Sequence, residues 1–90
     1  MGITAVKIKI MPESPNSDLE NIKKYAKTII EKDGGKNCQF NEELIAFGLK
    51  AIIAFFAWPE EKELEKTEEK LNKIKNVNSV QVIDMRRAFG

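Results

Sequence analysis

The sequence predicts a single α+β domain in which one antiparallel sheet of four strands carries two helices on one face. Three observations lead to this prediction. The chain of 90 residues is long enough for one packed core and too short for two. Segments with apolar residues at every second position alternate with segments whose apolar residues recur every three or four positions. Their order is strand, helix, strand, strand, helix, strand, in two halves of about equal length.

The first half begins with a strand and a helix. Apolar side chains alternate with others from Ile3 to Met11, which predicts a half-buried strand. Ser17 precedes Glu20 by three residues, the spacing of a capping box, so a helix is expected to begin near Asp18. Asp33-Gly34-Gly35 is expected to end it. The helix would bury a stripe of apolar residues at helical spacing, namely Leu19, Ile22, Ala26, Ile29 and Ile30.

Two strands follow in succession. Lys36 to Glu43 has few apolar residues, with Cys38 and Phe40 on one side, and predicts an edge strand. Phe47 to Trp58 is the most apolar stretch of the chain, interrupted only by Lys50, and predicts a central strand. Its two faces would carry Leu49, Ile53 and Phe55 on one side and Ile52, Phe56 and Trp58 on the other.

A second helix and a last strand complete the pattern. Pro59 suits the first turn of a helix, where its missing N–H costs least. Charges complement the helix dipole, with Glu60, Glu61 and Glu63 at the start and Lys70, Lys73 and Lys75 at the end. The apolar stripe would be Leu64, Thr67, Leu71 and Ile74, with the helix ending at Asn76. Val80 to Met85 predicts the last strand. This order predicts a ferredoxin-like split βαβ sandwich with right-handed crossovers, with residues 1–90 as one domain.

Composition excludes several classes of function. Fifteen Lys and Arg against 14 Asp and Glu leave a net charge of +1, so the net charge does not indicate nucleic acid or a membrane surface as a partner. The absence of histidine excludes Ser-His-Asp and Cys-His nucleophile pairs and His-containing zinc sites. The single Cys38 cannot form an intrachain disulfide, which favours the cytoplasm. The longest apolar run has eight residues, whereas a membrane span needs about 20. We expect a soluble, unprocessed chain that binds no metal or cofactor.

Three other features have simple structural explanations. Cys38 has no local group that would lower its pKa and no histidine to activate it, so it is not expected to be a nucleophile. Gly34-Gly35 follows a helix, whereas a phosphate-binding loop precedes one, so the pair is interpreted as a helix stop. The carboxylates between Glu60 and Glu69 interleave with lysines at helical spacing, which indicates a solvated helix face.

Two motifs are candidates for contacts with other molecules. Phe47-Gly48 places an aromatic residue beside glycine at the entrance to the third strand. Arg86-Arg87 contains the only arginines of the chain, and guanidinium groups are suited to carboxylates and phosphates. RNA-binding domains of this fold also carry an aromatic-glycine motif on the third strand, but Lys50 and Ala51 break that motif here and the first strand has no ring. An RNA-binding or small-ligand regulatory module remains the alternative function.

Three motifs together resemble one known family. They are Met11-Pro12-Glu13-Ser14-Pro15, Ile45-Ala46-Phe47-Gly48-Leu49-Lys50 and Val80-Gln81-Val82-Ile83-Asp84-Met85-Arg86-Arg87. Over its whole length the chain is similar to the archaeal elongation factor 1-beta family of translation factors, and to the C-terminal exchange domain of the eukaryotic subunit. The resemblance implies a guanine-nucleotide exchange factor without catalytic residues of its own. It also implies a GTPase partner, elongation factor 1-alpha, from which GDP is released and onto which GTP is reloaded.

The resemblance also implies contact residues. In eukaryotic members a phenylalanine from the loop entering the third strand and a basic residue near the C-terminus engage the GTPase, the latter at its magnesium and phosphate region. Carried onto this chain, these are Phe47 and Arg87, with Gly48, Lys50 and Arg86 as further contacts. The eukaryotic basic residue is a lysine next to the chain end, whereas Arg87 is followed by Ala88-Phe89-Gly90. We expect a monomer that makes no direct contact with nucleic acid or membrane.

Overall fold

The structure is a computed structural model that describes residues 2–89, and its elements follow the predicted order. They are β1 (Ile3–Pro12), α1 (Leu19–Lys32), β2 (Lys36–Ala46), β3 (Leu49–Pro59), α2 (Glu65–Asn72) and β4 (Val77–Phe89). The strands form one antiparallel sheet in the order β2-β3-β1-β4. The predicted α+β, ferredoxin-like arrangement is therefore confirmed. Met1 and Gly90, the ends of the predicted domain, lie outside the described residues, as do the side chains of Ala88 and Phe89.

The core lies between the two helices and one face of the sheet. Alternate residues of the central strands β1 and β3 point toward the helices, and the predicted helix stripes pack against them. Phe56 and Trp58 meet edge to face in this layer, with ring centroids 5.8 Å apart. The buried side chains include Val6, Ile8, Ile10, Ile22, Ala26, Ile30, Ile52, Phe56, Trp58, Thr67 and Leu71. The strand β2 lies at the edge of the sheet, as predicted, and its Cys38 and Phe40 are partly buried against this layer.

Helix α1 begins with a different cap from the predicted one. An Asp18 carboxylate oxygen accepts a hydrogen bond from the Asn21 N–H at 3.2 Å. The Ser17 hydroxyl instead accepts from the Ser14 N–H, inside the loop that follows β1. The predicted capping box of Ser17 and Glu20 was therefore wrong. An ionised carboxylate at the N-cap both accepts an unpaired N–H and faces the positive end of the helix dipole.

Helix α2 begins later and is shorter than predicted. Pro59 is the last residue of β3 and pairs with Ile3. The chain then turns, and the Trp58 indole N–H donates to the Lys62 carbonyl at 3.1 Å, which holds this turn against the core. The predicted first-turn role of Glu60, Glu61 and Glu63 was therefore wrong, as was the helix end at Asn76. The acidic residues of the first turn are Glu65 and Glu68, and the helix ends at Asn72.

The boundaries of three strands also differ from the predicted ones. β2 continues to Ala46, β3 begins at Leu49, and β4 extends well beyond the predicted Val80 to Met85 in both directions. Arg86 and Arg87 are consequently strand residues that pair with Ala5 and Thr4 of β1. Backbone hydrogen bonding to a long neighbouring strand does not require apolar side chains, so the apolar pattern underestimates such strands.

Asp33, directly after α1, connects the two helices. Its carboxylate accepts hydrogen bonds from the Thr67 hydroxyl at 2.7 Å and from the Lys70 ammonium at 2.9 Å. The Lys62 ammonium donates to the Asp33 carbonyl at 2.6 Å. The hydrogen bonds from Lys70 and Thr67 hold the pKa of Asp33 below its ordinary value of 3.8. Residue 33 is thus an electrostatic connection as well as a helix stop.

Asp33→Asn is expected to destabilise the protein in a pH-dependent way. Because the pKa of Asp33 is lower in the folded than in the unfolded state, its ionised form stabilises the fold at neutral pH, and this stabilisation is lost as the pH falls through 3.8 and below. Urea denaturation should show a free energy of unfolding reduced by about 1 to 2 kcal/mol at neutral pH and by much less in acid. Glu61→Gln, in the exposed turn after β3, serves as the control. A loss that is equal at both pH values would contradict the electrostatic explanation.

Candidate functional site

The β2–β3 hairpin ends in a two-residue turn formed by Phe47 and Gly48. Ala46 and Leu49 pair across this turn, and the two central residues have φ angles of +52° and +80°. Positive φ at both positions is the geometry of a type I′ turn, whose twist matches that of antiparallel strands. Glycine adopts this backbone freely, whereas a bulky side chain does so against its steric preference. The Phe47 side chain is also fully exposed, at 101%. Local folding therefore does not favour phenylalanine here.

Further apolar groups surround the tip of this hairpin. Leu44 is 67% exposed, and Ile45 occupies a register shift in β2 that makes it an extra residue relative to β3. A side chain at Gly48 would lie 3.9 Å from the Pro15 ring, so the loop after β1 adjoins the turn. We call Pro15, Leu44, Ile45, Phe47 and Gly48 the hairpin-tip patch. Exposed apolar side chains gathered at the tip of a hairpin are typical of a contact site.

Ionic contacts fix the base of the hairpin to α1. The Lys23 ammonium lies 2.7 Å from one Glu42 oxygen, and the Lys50 ammonium lies 3.8 Å from the other. The hydrogen bond from Lys23 lowers the pKa of Glu42. Lys50, one of the predicted contacts, lies opposite Leu44 on β2 and is half exposed. The hairpin-tip patch is thus carried by a strand pair that is connected to the helix layer.

The two arginines lie on opposite faces of β4. Arg87 pairs with Thr4 and Arg86 with Ala5, and neighbouring residues of a strand point to opposite sides of the sheet. On the helix side, the Arg87 Nε lies 3.1 Å from an oxygen of Glu60 in the turn before α2. On the other side, the Arg86 Nε lies 3.2 Å from the Asp84 carboxylate. No pattern in the sequence indicated the contact between Glu60 and Arg87.

The predicted contact residues form two groups at opposite ends of the sheet. Phe47, Gly48 and Lys50 lie where β3 begins. Arg87 lies near the other end of β3, because Arg87 and Trp58 both pair with Thr4 of β1, from its two sides. Ten residues at about 3.3 Å each separate the two levels by about 30 Å, and the longest dimension of the molecule is 42 Å. The structure does not bring these residues together into one site.

The described part of the chain has neither a reactive thiol nor a metal-binding cluster. Burial of the half-buried Cys38 raises the pKa of its thiol to about 11, so the thiol is protonated at neutral pH. Among residues 2–89, no three His, Cys, Asp or Glu side chains come close enough to hold a metal ion. None of the described helices has the length and apolar character needed to cross a membrane.

A fully exposed apolar turn on a ferredoxin-like α+β domain is typical of a protein that binds another macromolecule. Comparison with known proteins identifies which kind. The family model of the EF-1 guanine nucleotide exchange domain matches residues 5–88. The chain belongs to this family, and the predicted resemblance is confirmed.

Relatives from several archaea align over nearly the whole chain. Elongation factor 1-beta of Methanosarcina barkeri is 43% identical over 88 residues, covering 97% of this chain and 99% of that protein. The protein of the same name from Methanothermobacter thermautotrophicus is 40% identical, with coverage of 97% and 98%. That of Methanococcus maripaludis is 33% identical over 87 residues, with coverage of 94% and 97%. The match therefore extends over both ends of the sheet.

Replacement of Phe47 by asparagine is expected to preserve or increase stability. Asparagine tolerates positive φ and is favoured before glycine in type I′ turns, so Phe47→Asn should raise the free energy of unfolding by about 0.5 to 1 kcal/mol. Phe56→Ala, in the core, should lower it by about 3 to 5 kcal/mol. Thermal and urea denaturation measure both effects. A destabilisation of Phe47→Asn comparable to that of Phe56→Ala would show that the Phe47 ring packs within the fold.

Proposed function

We propose that this protein promotes release of GDP from translation elongation factor 1-alpha and reloading with GTP, as a cytoplasmic monomer. Membership of the exchange-domain family supports the activity. The single structural observation that carries the proposal is Phe47, a fully exposed aromatic side chain in a turn whose backbone favours other residues. Such a residue is explained by contact with a partner and not by the stability of the free protein.

Nucleotide exchange requires no catalytic residue on the factor. A protein that binds the nucleotide-free GTPase more tightly than the loaded form weakens nucleotide binding by the same factor. A thousandfold weakening of GDP binding corresponds to about 4 kcal/mol of coupling between the two ligands. What the factor needs is therefore a surface that fits one state of its partner.

Phe47 would supply an apolar anchor at one end of this surface. Because the turn is only two residues long, the backbone position of Phe47 is defined by the hairpin itself. The contact between Glu42 and Lys23 connects the hairpin to α1, so the hairpin backbone loses little conformational freedom on binding. Aromatic residues inserted into partner pockets commonly dominate interface energies. Leu44, Ile45 and Pro15 would exclude water around the ring.

Arg87 would supply a cation at the other end. Bound GDP is held largely through Mg²⁺ and the cradled phosphates, so a guanidinium that enters this region competes with the metal for the same oxygens. Arg87 is mostly exposed, and its contact with Glu60 is a surface ion pair, a kind that contributes little stability and exchanges readily. If Phe47 and Arg87 both bind the same GTPase, the separation of about 30 Å along β3 requires the partner to contact both ends of the sheet.

Phe47 variants should lose partner binding while remaining folded. We expect Phe47→Asn and Phe47→Ala to increase the factor concentration needed for half-maximal release of fluorescent GDP from elongation factor 1-alpha by about 30-fold, the effect of losing an anchor worth about 2 kcal/mol. Tyr25→Ala serves as the matched control, because Tyr25 is an exposed aromatic residue on α1. Unchanged release kinetics in both Phe47 variants would exclude the hairpin tip as a contact.

Arg87 variants should act on the maximal rate. If the guanidinium acts mainly when the nucleotide is already loosened, Arg87→Ala should slow GDP release at saturating factor, Arg87→Glu should slow it further, and Arg87→Lys should retain most activity. Arg86→Ala, on the opposite face, should change only the affinity, and slightly. Because of the separation along the sheet, the effects of Phe47→Ala and Arg87→Ala should add in free energy. Wild-type maximal rates in Arg87→Ala and Arg87→Glu would refute the role of this residue.

A further inference from the structure

The sheet face opposite the helices is uncovered in the described part of the chain and differs in composition from the rest of the surface. We call it the open face. The pairing of the strands places four cations and two carboxylates on this face, although the whole chain is nearly neutral. The cations are Lys7, Lys9, Lys36 and Arg86, and the carboxylates are Glu43 and Asp84. Asp84 is held by Arg86, which compensates its charge. The open face is therefore locally basic.

A recess of about 250 Å³ opens on this face beside an aromatic ring. The ring belongs to Phe55 on the central strand β3, and 40% of this residue is exposed. Ala5 and Ala57 pair with each other in the neighbouring register position and also line the recess. Because both side chains are small, the recess leaves room for a flat ligand, and a base that stacks on the ring displaces the Lys7 ammonium from its position over it.

Besides Ile3 and Phe56, two amide side chains line the recess. The position of one of them depends on a backbone irregularity. Between Lys36 and Gln39 the register of β2 shifts, and Asn37 has a φ angle of +56°. Bulges of this kind redirect a side chain, and asparagine tolerates the left-handed conformation. Asn37 and Gln39 both line the recess. An amide both donates and accepts hydrogen bonds, as does the edge of a nucleobase.

Three lysines of the open face have no carboxylate partner within ion-pair distance among the described residues. The Lys7 ammonium lies 5.5 Å from the centroid of the Phe55 ring. Lys9 lies two residues further along the same face of β1, about 7 Å away. Lys36 lies across from Ala57 on β2. The cations thus form a track past the ring, suited to a series of phosphates more than to one.

We propose that the open face binds single-stranded RNA. One base stacks on Phe55 and hydrogen-bonds to Asn37 and Gln39, while Lys7, Lys9 and Lys36 contact the neighbouring phosphates. Stacking on an exposed ring combined with lysine contacts to the backbone is how sheets bind single strands. An acidic peptide would satisfy the lysines but leave the ring and the amide-lined recess unused. The net charge of the chain and the position of Phe47 gave no indication of this face, and the proposal does not depend on nucleotide exchange.

The test is fluorescence anisotropy of a short fluorescein-labelled oligoribonucleotide titrated with the full chain. At about 50 mM salt, binding should weaken about 10-fold in Phe55→Leu, which keeps an apolar side chain but has no flat ring, and should be retained in Phe55→Tyr. The double variant Lys7→Gln/Lys9→Gln should reduce the slope of log affinity against log salt by about 0.7 for each phosphate that it no longer neutralises. Lys24→Gln/Lys27→Gln, on the exposed side of α1, is the matched control and should change neither quantity.

Competitors and the exchange assay distinguish the alternatives. Polyglutamate should displace the oligonucleotide poorly, and GDP alone should compete only weakly. Equal competition by polyglutamate would overturn the proposal in favour of a general polyanion surface, and equal competition by GDP would replace RNA by a free nucleotide. Absence of binding at low salt, or equal binding by wild type and Phe55→Leu, would also overturn it. Phe55→Leu should keep the wild-type rate of GDP release, so failure here and failure of the exchange proposal are separate results.

Discussion

The structure depends on one constraint, the burial of alternate side chains of β1 and β3 beneath both helices. These two strands occupy the middle of the sheet, so their inward residues, such as Ile8 and Phe56, have no route to solvent. At about 25 cal/mol per Å² of apolar surface, this layer is the main favourable contribution to folding. Once it is fixed, the register of the sheet is fixed too, because a shift of one residue would turn every inward side chain outward. The side chains at the two ends of the sheet and on the open face are outside this constraint.

The periodicity of the sequence predicted this core well because burial itself produces the pattern. Apolar residues at period two marked the central strands, and residues at helical spacing marked the stripes of both helices. The ends of the helices and strands were less predictable, because they depend on hydrogen bonds that the apolar periodicity does not show. Trp58 holds the carbonyl of Lys62, and Pro59 consequently ends a strand where it had been expected to begin a helix. Likewise, Asp18 caps α1 because the Ser17 hydroxyl is already used by the preceding loop.

The candidate contact residues could be predicted only in part. Resemblance to a family pointed to Phe47 and Arg87, and their roles in function remain a prediction. The sequence could not show that Phe47 occupies a turn with positive φ, because that geometry follows from the pairing of Ala46 with Leu49. Nor could it show that Arg86 and Arg87 face opposite sides, which depends on their being part of β4. Because Arg86 and Arg87 are adjacent in the sequence, they suggested one basic site, whereas the strand places their side chains on opposite faces of the sheet.

The placement of the hairpin-tip patch and Arg87 at the two ends of one sheet has a kinetic consequence. Two weak contacts on a single rigid body behave as a bivalent ligand, since attachment of one holds the other at a high effective concentration. If both ends engage the same GTPase, an incoming nucleotide can displace the cationic end first while the apolar end still holds. Departure of the factor would then occur in two small steps, each with a lower barrier than simultaneous rupture. Under that condition, a long, narrow molecule of 42 × 20 × 18 Å would combine firm attachment with rapid turnover.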